Sequence, residues 1–358
     1  MRVVLATGGS GGHLFPALKV AQELRDREDV VYFVGSFGVG VEQVKSHGFA
    51  FENLNVKGLS FHNPLEGVYA SWIMFKATLK ALRLLKKFNP DVVIGFGSYG
   101  ACPAVFAACL LKVPTLIHEQ NVVPGRANAL LAKFVNKIAI SFDKSMAYFQ
   151  HEKTVLTGYP CHATKQHGQR SEILEEFCLK EDKVTIFVFG GSQGSHRINA
   201  EFIKSAQQLK NKLDFQVLHI CGKKDFDTLK VQYERLGVPF ALFMFLDRIE
   251  RAYMIADIII SRAGAGTVTE IASFRLPAIL IPYPYAGGHQ KENALALCET
   301  RLARLIEEND LTADLLTENI LDVLDKRNDL KQPNEDLRKI FIPDSAKRLV
   351  AQAEALTH

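Results

Sequence analysis

The residues VVLATGGSGGH at 3–13 and IFVFGGSQGSH at 186–196 decide the fold. Each is a short apolar run rich in β-branched residues, then a glycine-rich turn, then the start of a helical pattern, so the chain carries one device twice. Around the first, VVYFV at 30–34, DVVIGF at 91–96, PTLIH at 114–118 and NKIAIS at 136–141 repeat the apolar run, with helix-length amphipathic segments between them. Strands apolar on both faces belong to a parallel sheet covered by helices on both sides. Around the second, FQVLHICG at 215–222, DIIIS at 257–261 and PAILIP at 277–282 do the same, with helical segments at 196–210 and 289–300. The expected class is α/β, with two doubly wound domains in succession. The stretch HATKQHGQR at 162–170, just after GYP at 158–160, has linker composition. The expected domains are therefore 1–158 and 159–340, followed by a segment 341–358 with one more amphipathic helix.

Composition narrows the function classes. The 358 residues are 47% hydrophobic and 23% charged, which excludes extended disorder and coiled coils. A net charge of +4 is too small for a nucleic-acid binder unless concentrated in one place. The cysteines at 102, 109, 161, 178, 221 and 298 show neither Cys-x-x-Cys nor a Cys/His ligand spacing, so no disulfide framework or structural zinc is expected. The opening MRVVLATGG is too short an apolar run for a signal peptide, and ACPAVFAACLL at 101–111 is too short to span a bilayer. A cytoplasmic protein is expected.

Three segments suit anions. In GGSGGH at 8–13 the glycines let several backbone N–H groups approach one phosphate at a helix start. The dinucleotide fingerprint fails there: Leu14 stands where the third glycine belongs, and FVGSFG at 33–38 closes the second strand without a ribose-binding carboxylate. GGSQGSH at 190–196 is the second such loop, and SRAGAGTVTE at 261–270 the third. One turn into that last helix, Glu270 suits a ribose diol; the bland alternative is a first-turn carboxylate favoured by the helix dipole. His13 follows the first loop at the edge where α/β enzymes bind ligands, and histidine is a suitable general base at neutral pH. HEQN at 118–121 lacks the second histidine of a zinc-protease motif. Asp225 and Asp227 form a D-x-D inside the charged stretch KKDFDTLK and read as a solvated helix, so no metal or other cofactor is expected.

WIMFKATLKALRLLKKF at 72–88 holds five basic residues and no acid. At 100° per residue, Lys76, Lys80, Arg83 and Lys87 form a stripe flanked by Trp72, Phe75, Leu79 and Leu82, while Ile73, Ala77, Ala81, Leu84 and Phe88 form a separate apolar face. One face packs inward; the other suits an anionic membrane surface.

Together these segments resemble the MurG family of UDP-N-acetylglucosamine transferases, which act on undecaprenyl-diphosphate-linked muramyl-pentapeptide. GGSGGHLFP at 8–16, GFGSYGACP at 95–103, HEQN at 118–121, GGSQGSHRIN at 190–199, SRAGAGTVTE at 261–270, HQKENA at 289–294 and IPDSAKR at 342–348 follow in the family's order over nearly the whole chain. The resemblance implies a GT-B fold of two Rossmann-like domains facing a cleft, with the last helix returning to the N-terminal domain. It implies an inverting transfer from UDP-GlcNAc to lipid I, giving lipid II for the cell wall, at the cytoplasmic face of the plasma membrane. Cell-wall synthesis proteins are further implied partners. By the same resemblance the catalytic residues are His13, Tyr99 and Glu270. Ser192 contacts phosphate, Leu246 meets uracil through its backbone, Ala265, Gly266, Thr267, Val268, Thr269 and Glu270 hold diphosphate and ribose, and Arg262 is a further substrate-binding residue. Gln290 binds sugar hydroxyls, with Ser10, Gly11, Gly12 and Asn121 on the other side of the sugar. His162 stands where the family has an arginine, and Ser98 where glycine is common.

The alternatives are another GT-B member, such as a diacylglycerol glycosyltransferase or a UDP-sugar 2-epimerase, and an inactive membrane-associated binding protein. An epimerase has no use for the basic amphipathic helix. A nicotinamide oxidoreductase lacks its fingerprint.

Overall fold

The computed structural model describes residues 1–54, 56, 64–161, 168–191, 193–285, 287–330 and 335–357. The first half runs β1 (Arg2–Gly8), α1 (Gly11–Asp26), β2 (Val30–Ser36), α2 (Val41–Ser46), β3 (Ala50–Asn53), α3 (Pro64–Phe88), β4 (Val92–Gly95), α4 (Cys102–Leu110), β5 (Thr115–Glu119), α5 (Arg126–Leu131), β6 (Lys137–Ile140) and β7 (Thr154–Leu156). The second runs α6 (Arg170–Glu176), β8 (Val184–Phe189), α7 (His196–Leu209), β9 (Phe215–Ile220), α8 (Phe226–Leu236), β10 (Phe240–Phe243), α9 (Ile249–Ile255), β11 (Ile258–Ser261), α10 (Ala265–Phe274), β12 (Ala278–Leu280), α11 (His289–Cys298), β13 (Ala303–Leu305), α12 (Ala313–Asp325) and α13 (Arg327–Leu330), and α14 (Ser345–Glu354) ends the chain.

Two compact units result, Met1–Cys161 with Ile342–His358, and His162–Phe341. The first holds a seven-stranded sheet of order β3-β2-β1-β4-β5-β6-β7, the second a six-stranded sheet of order β10-β9-β8-β11-β12-β13. Every strand pair is parallel. In both sheets the order reverses beside the strand that carries a glycine loop, between β1 and β4 and between β8 and β11. That reversal opens a crevice at the carboxyl ends of the strands, the ligand position of doubly wound sheets.

The central strands form because their apolar residues can be buried on both faces. β4 and β5 are buried throughout, and β1 is buried from Val3 to Gly8. Helices cover both sides. Ala77, Ala81 and Leu85 of α3 pack with α4 on one face of the first sheet, and Leu14, Ala17, Leu18 and Leu24 of α1 on the other. Leu349, Val350 and Ala353 of α14 join the α1 cluster, so the chain's last helix is part of the first unit's core. In the second unit, Ser195 caps the start of α7, Thr312 caps the start of α12, and α8 ends on a left-handed Gly237.

Candidate active site

At the first switch point the β1–α1 and β4–α4 loops meet. Ser10 is the N-cap of α1 and makes no side-chain capping bond, and the first turn holds no acidic residue, so the positive end of a 16-residue helix stands unopposed. His13, in that first turn, is half-buried. Gly97, at φ +78°, lets the β4–α4 loop lie against it: a Cβ there would sit 3.3 Å from His13 Nδ1 and Cε1 and 3.1 Å from Asn128 Nδ2. Ser98 takes the left-handed conformation at φ +66°, and its hydroxyl accepts the Gly100 N–H at 3.2 Å, which holds the turn without a glycine. Tyr99 is half-buried on the same loop.

The end of β5 supplies the next layer. His13 Nδ1 lies 3.0 Å from Gln120 Oε1, and Gln120 Nε2 lies 3.1 Å from His118 Nδ1. His118 Nε2 reaches the Gly158 carbonyl at 3.1 Å, and burial lowers the His118 pKa to about 4, with the Gly158 bond opposing and His13 adding to the fall. Glu119 is buried and accepts from Asn121 N at 2.9 Å, Asn121 Nδ2 at 3.2 Å, Gly125 N at 3.1 Å and Asn128 Nδ2 at 2.8 Å. Its carboxylate therefore shapes the loop that presents Asn121.

In the second unit the β8–α7 loop packs backbone to backbone on the end of β9. Gly194 (φ +77°) would place a Cβ 2.1 Å from the Cys221 carbonyl oxygen, and Gly222 (φ +80°) one 2.3 Å from that of Gln193. Asn199 donates to Cys221 O at 2.9 Å and to Asp225 Oδ2 at 2.8 Å, while His196 meets Asp225 Oδ1 at 3.0 Å. Asp225, at the start of α8, thus ties that helix to the first turn of α7. His219 beneath it, between Tyr233 Oη at 2.8 Å and Asn199 Oδ1 at 3.0 Å, is fully buried and lowered by that burial to about 3.

Two expectations change here. Arg262 does not present its guanidinium as a ligand-binding cation. It is buried, with Nη1 donating to Ile281 O at 3.1 Å and Pro282 O at 3.2 Å, Nη2 to Ser195 Oγ at 2.8 Å, an ion pair to Glu308, and Tyr283 stacked 5.3 Å away. Glu270 is the sixth residue of α10, beyond the first turn, so the dipole does not account for it. Instead the buried Tyr253 hydroxyl donates to its Oε2 at 3.0 Å. Val268 and Thr269 are wholly buried and the Val268 N–H already bonds Gly264 O, so the donors at the start of α10 come from Ala265, Gly266 and Thr267. Gln290 Oε1 accepts from Tyr283 N at 2.9 Å and Ala263 N at 3.3 Å, which turns its amide nitrogen into the available donor. Leu246 is half-buried in the turn after β10. His162 and Ser192 lie outside the described residues.

On α3, Trp72, Phe75 and Leu79 are exposed and Leu82 half-buried. Phe75, Leu79 and Leu82 line an apolar groove of about 570 Å³ with Met74, Phe106 and Phe134. Leu110 and Leu130 add to the exposed apolar area. Lys76 stacks on Trp72, and Arg83 and Lys87 face solvent. Lys80 departs from the expected free stripe: it pairs with Glu52 and donates to Asn53 O at 3.1 Å. Among the described residues no helix is long and apolar enough to cross a membrane.

The chain matches the glycosyltransferase family 28 N-terminal domain over residues 3–140 and the family 28 C-terminal domain over 185–349. The UDP-N-acetylglucosamine--N-acetylmuramyl-(pentapeptide) pyrophosphoryl-undecaprenol N-acetylglucosamine transferase of Desulforamulus reducens is 34% identical, with 99% of both chains covered. The enzyme of the same name from Bacillus subtilis is 33% identical, again over 99% of each. Among solved structures, Acinetobacter baumannii MurG superposes with a TM-score of 0.78 at 28% identity over 99% of both chains. A UDP-GlcNAc 2-epimerase from Neisseria meningitidis reaches 0.69 at 13% identity over 99% of this chain and 100% of the other, a likeness of fold alone.

Proposed function

This chain belongs to the MurG transferases of glycosyltransferase family 28, a GT-B fold, and from that premise we propose how its residues divide the work. The reaction is transfer of N-acetylglucosamine from UDP-GlcNAc to the C4 hydroxyl of the muramyl sugar in lipid I, with inversion at the anomeric carbon. His13 takes the hydroxyl proton as the oxygen attacks, so the nucleophile gains charge only as the bond forms. Tyr99, Asn121 and the Ser10–Gly12 backbone line the same edge of the first sheet and orient the sugars. Charge leaving on UDP meets the N–H groups of Ala265, Gly266 and Thr267 at the start of α10, and Ser192 takes a phosphate oxygen. Glu270, held by Tyr253, receives the ribose hydroxyls. Gln290 donates to the donor sugar, and the Leu246 backbone meets uracil. His162 contributes a contact to the donor.

The groove on α3 and α4, with its exposed aromatics and the cations Lys76, Arg83 and Lys87, is the proposed contact with the anionic cytoplasmic leaflet that carries the lipid acceptor. Other proteins of wall synthesis are further candidate partners at that surface.

The observation that carries this reading is the place of His13: a half-buried imidazole at the switch point of the first sheet, packed against Gly97, beside a helix N-terminus with no acidic residue in its first turn. A His13→Ala enzyme tests it. Turnover lost by a hundredfold or more with UDP-GlcNAc affinity kept supports the base, on the scale of about 10²–10⁴ for general base catalysis. Turnover within a few-fold of wild type refutes it.

A further inference from the structure

A histidine serves as a base only through the nitrogen that lacks a proton, and a buried hydrogen-bond chain in the first unit decides which nitrogen that is. Resting on the reading of His13 as the base, we propose that His118 and Gln120 are positioning residues that lock His13 in the tautomer with its proton on Nδ1 and its lone pair on Nε2.

The chain is read from its far end. The Gly158 carbonyl can only accept, so His118 Nε2, 3.1 Å away, carries a proton. Ser141 Oγ, 3.4 Å from the same nitrogen, spends its own proton on Glu119 O at 3.0 Å and leaves a lone pair there. Complete burial keeps His118 neutral, with a pKa of about 4, so its Nδ1 is an acceptor. The amide nitrogen of Gln120 faces that acceptor at 3.1 Å and sends its second hydrogen to His118 O at 3.0 Å. The amide has one nitrogen, so its oxygen is the atom 3.0 Å from His13 Nδ1, and an oxygen only accepts. His13 Nδ1 is therefore protonated and Nε2 is free to take a proton.

The end of the chain is itself fixed. Gly158 sits at φ +85°, and a Cβ there would lie 2.7 Å from both Ile342 Cβ and Ser345 Oγ. The entry to α14 thus presses on the residue whose carbonyl sets the order. An unrestrained imidazole would divide between two tautomers, one of them with no acceptor on Nε2.

The test is the ¹⁵N spectrum of [¹⁵N]histidine-labelled full-length enzyme, the His13 signals being those absent from H13A. The wild type should give a protonated, pyrrole-type Nδ1 and a pyridine-type Nε2. Gln120→Leu should mix the two tautomers and lower kcat by roughly ten- to a hundredfold, the scale known for partners that orient metal-bound histidines, with both KM values within about twofold. Gln120→Glu keeps an acceptor at His13 Nδ1 and, with one proton taken up between its other oxygen and His118 Nδ1 to replace the lost amide donor, should retain the tautomer and much of the kcat. It also carries the test if Gln120→Leu does not fold. A single Nδ1–H tautomer in Q120L, or Q120E no better than Q120L, overturns the proposal. Normal turnover by H13A would instead overturn the base assignment, and the tautomer spectra would still report on the chain.

Discussion

Replacing Arg262 by methionine separates two roles for this residue, donor binding and internal support. The guanidinium joins four places in the second unit: the β11–α10 loop it stands on, the Ser195 cap of α7, the carbonyls of Ile281 and Pro282, and Glu308. Its side chain is 10% exposed and that of Glu308 17%. Removing it leaves a largely buried carboxylate and two carbonyls without their cation, a loss of about 3–5 kcal/mol by analogy with other broken buried pairs. For a unit the size of 162–341 each kcal/mol moves Tm by roughly 2–4 °C, so differential scanning calorimetry should record a fall of about 6–20 °C in that unit's transition. The double variant Arg262→Met, Glu308→Leu should recover part of the loss, because the stranded charge leaves with its partner. A Tm change under about 3 °C together with a tenfold or larger loss of UDP affinity would refute the internal role and return Arg262 to the ligand.

Tyr253→Phe removes the 3.0 Å bond to Glu270, and a bond to a charged acceptor contributes about 1.5–3 kcal/mol, so KM for UDP-GlcNAc should rise tenfold or more with a smaller effect on kcat, read from steady-state kinetics. His118 and His219 are held near 4 and 3, below the ordinary 6.5, so the unfolded chain takes up their protons first. Their contribution is fully present above about pH 6.5 and is lost as pH falls, by up to about 1.4 kcal/mol per pH unit for each histidine until its folded value is reached. Tm should accordingly fall from pH 7 to pH 5, and His219→Gln should flatten that slope. Changing Lys76, Arg83 and Lys87 together to glutamine should cut partition onto anionic vesicles at low salt by about a hundredfold, at about 1 kcal/mol per cation, and have little effect on neutral vesicles.

What could be read in the sequence follows from where each signal is written. The central strands β1, β2, β4, β5, β6, β8, β9, β11 and β12 announce themselves because burial on two faces demands an unbroken apolar run. The strands missed, β3, β7, β10 and β13, are the four sheet edges, three or four residues long and only partly buried, so AFEN at 50–53 or TVL at 154–156 carries no such run. Glycine loops and His13 are legible because their position after a strand is a local fact. The partners that give these residues their roles are not local: Gln120 meets His13 across 107 positions, and Arg262 draws its partners from 195, 281, 282 and 308. The basic stripe of α3 was visible in one helix, whereas Phe106 and Leu110 of α4 and Phe134 beyond α5 reach the same patch from elements distant in sequence. Lys80 looked free for the same reason, since Glu52 comes from the unrecognised edge strand β3.

The central claim is the inverting transfer to a lipid-linked muramyl acceptor. Purified full-length protein mixed with labelled UDP-GlcNAc and a short-chain lipid I analogue, with the anomeric configuration of the product read by NMR, tests it most directly. The account predicts stoichiometric UDP release and a β1→4-linked disaccharide. UDP release without disaccharide, or an α-linked product, would contradict it.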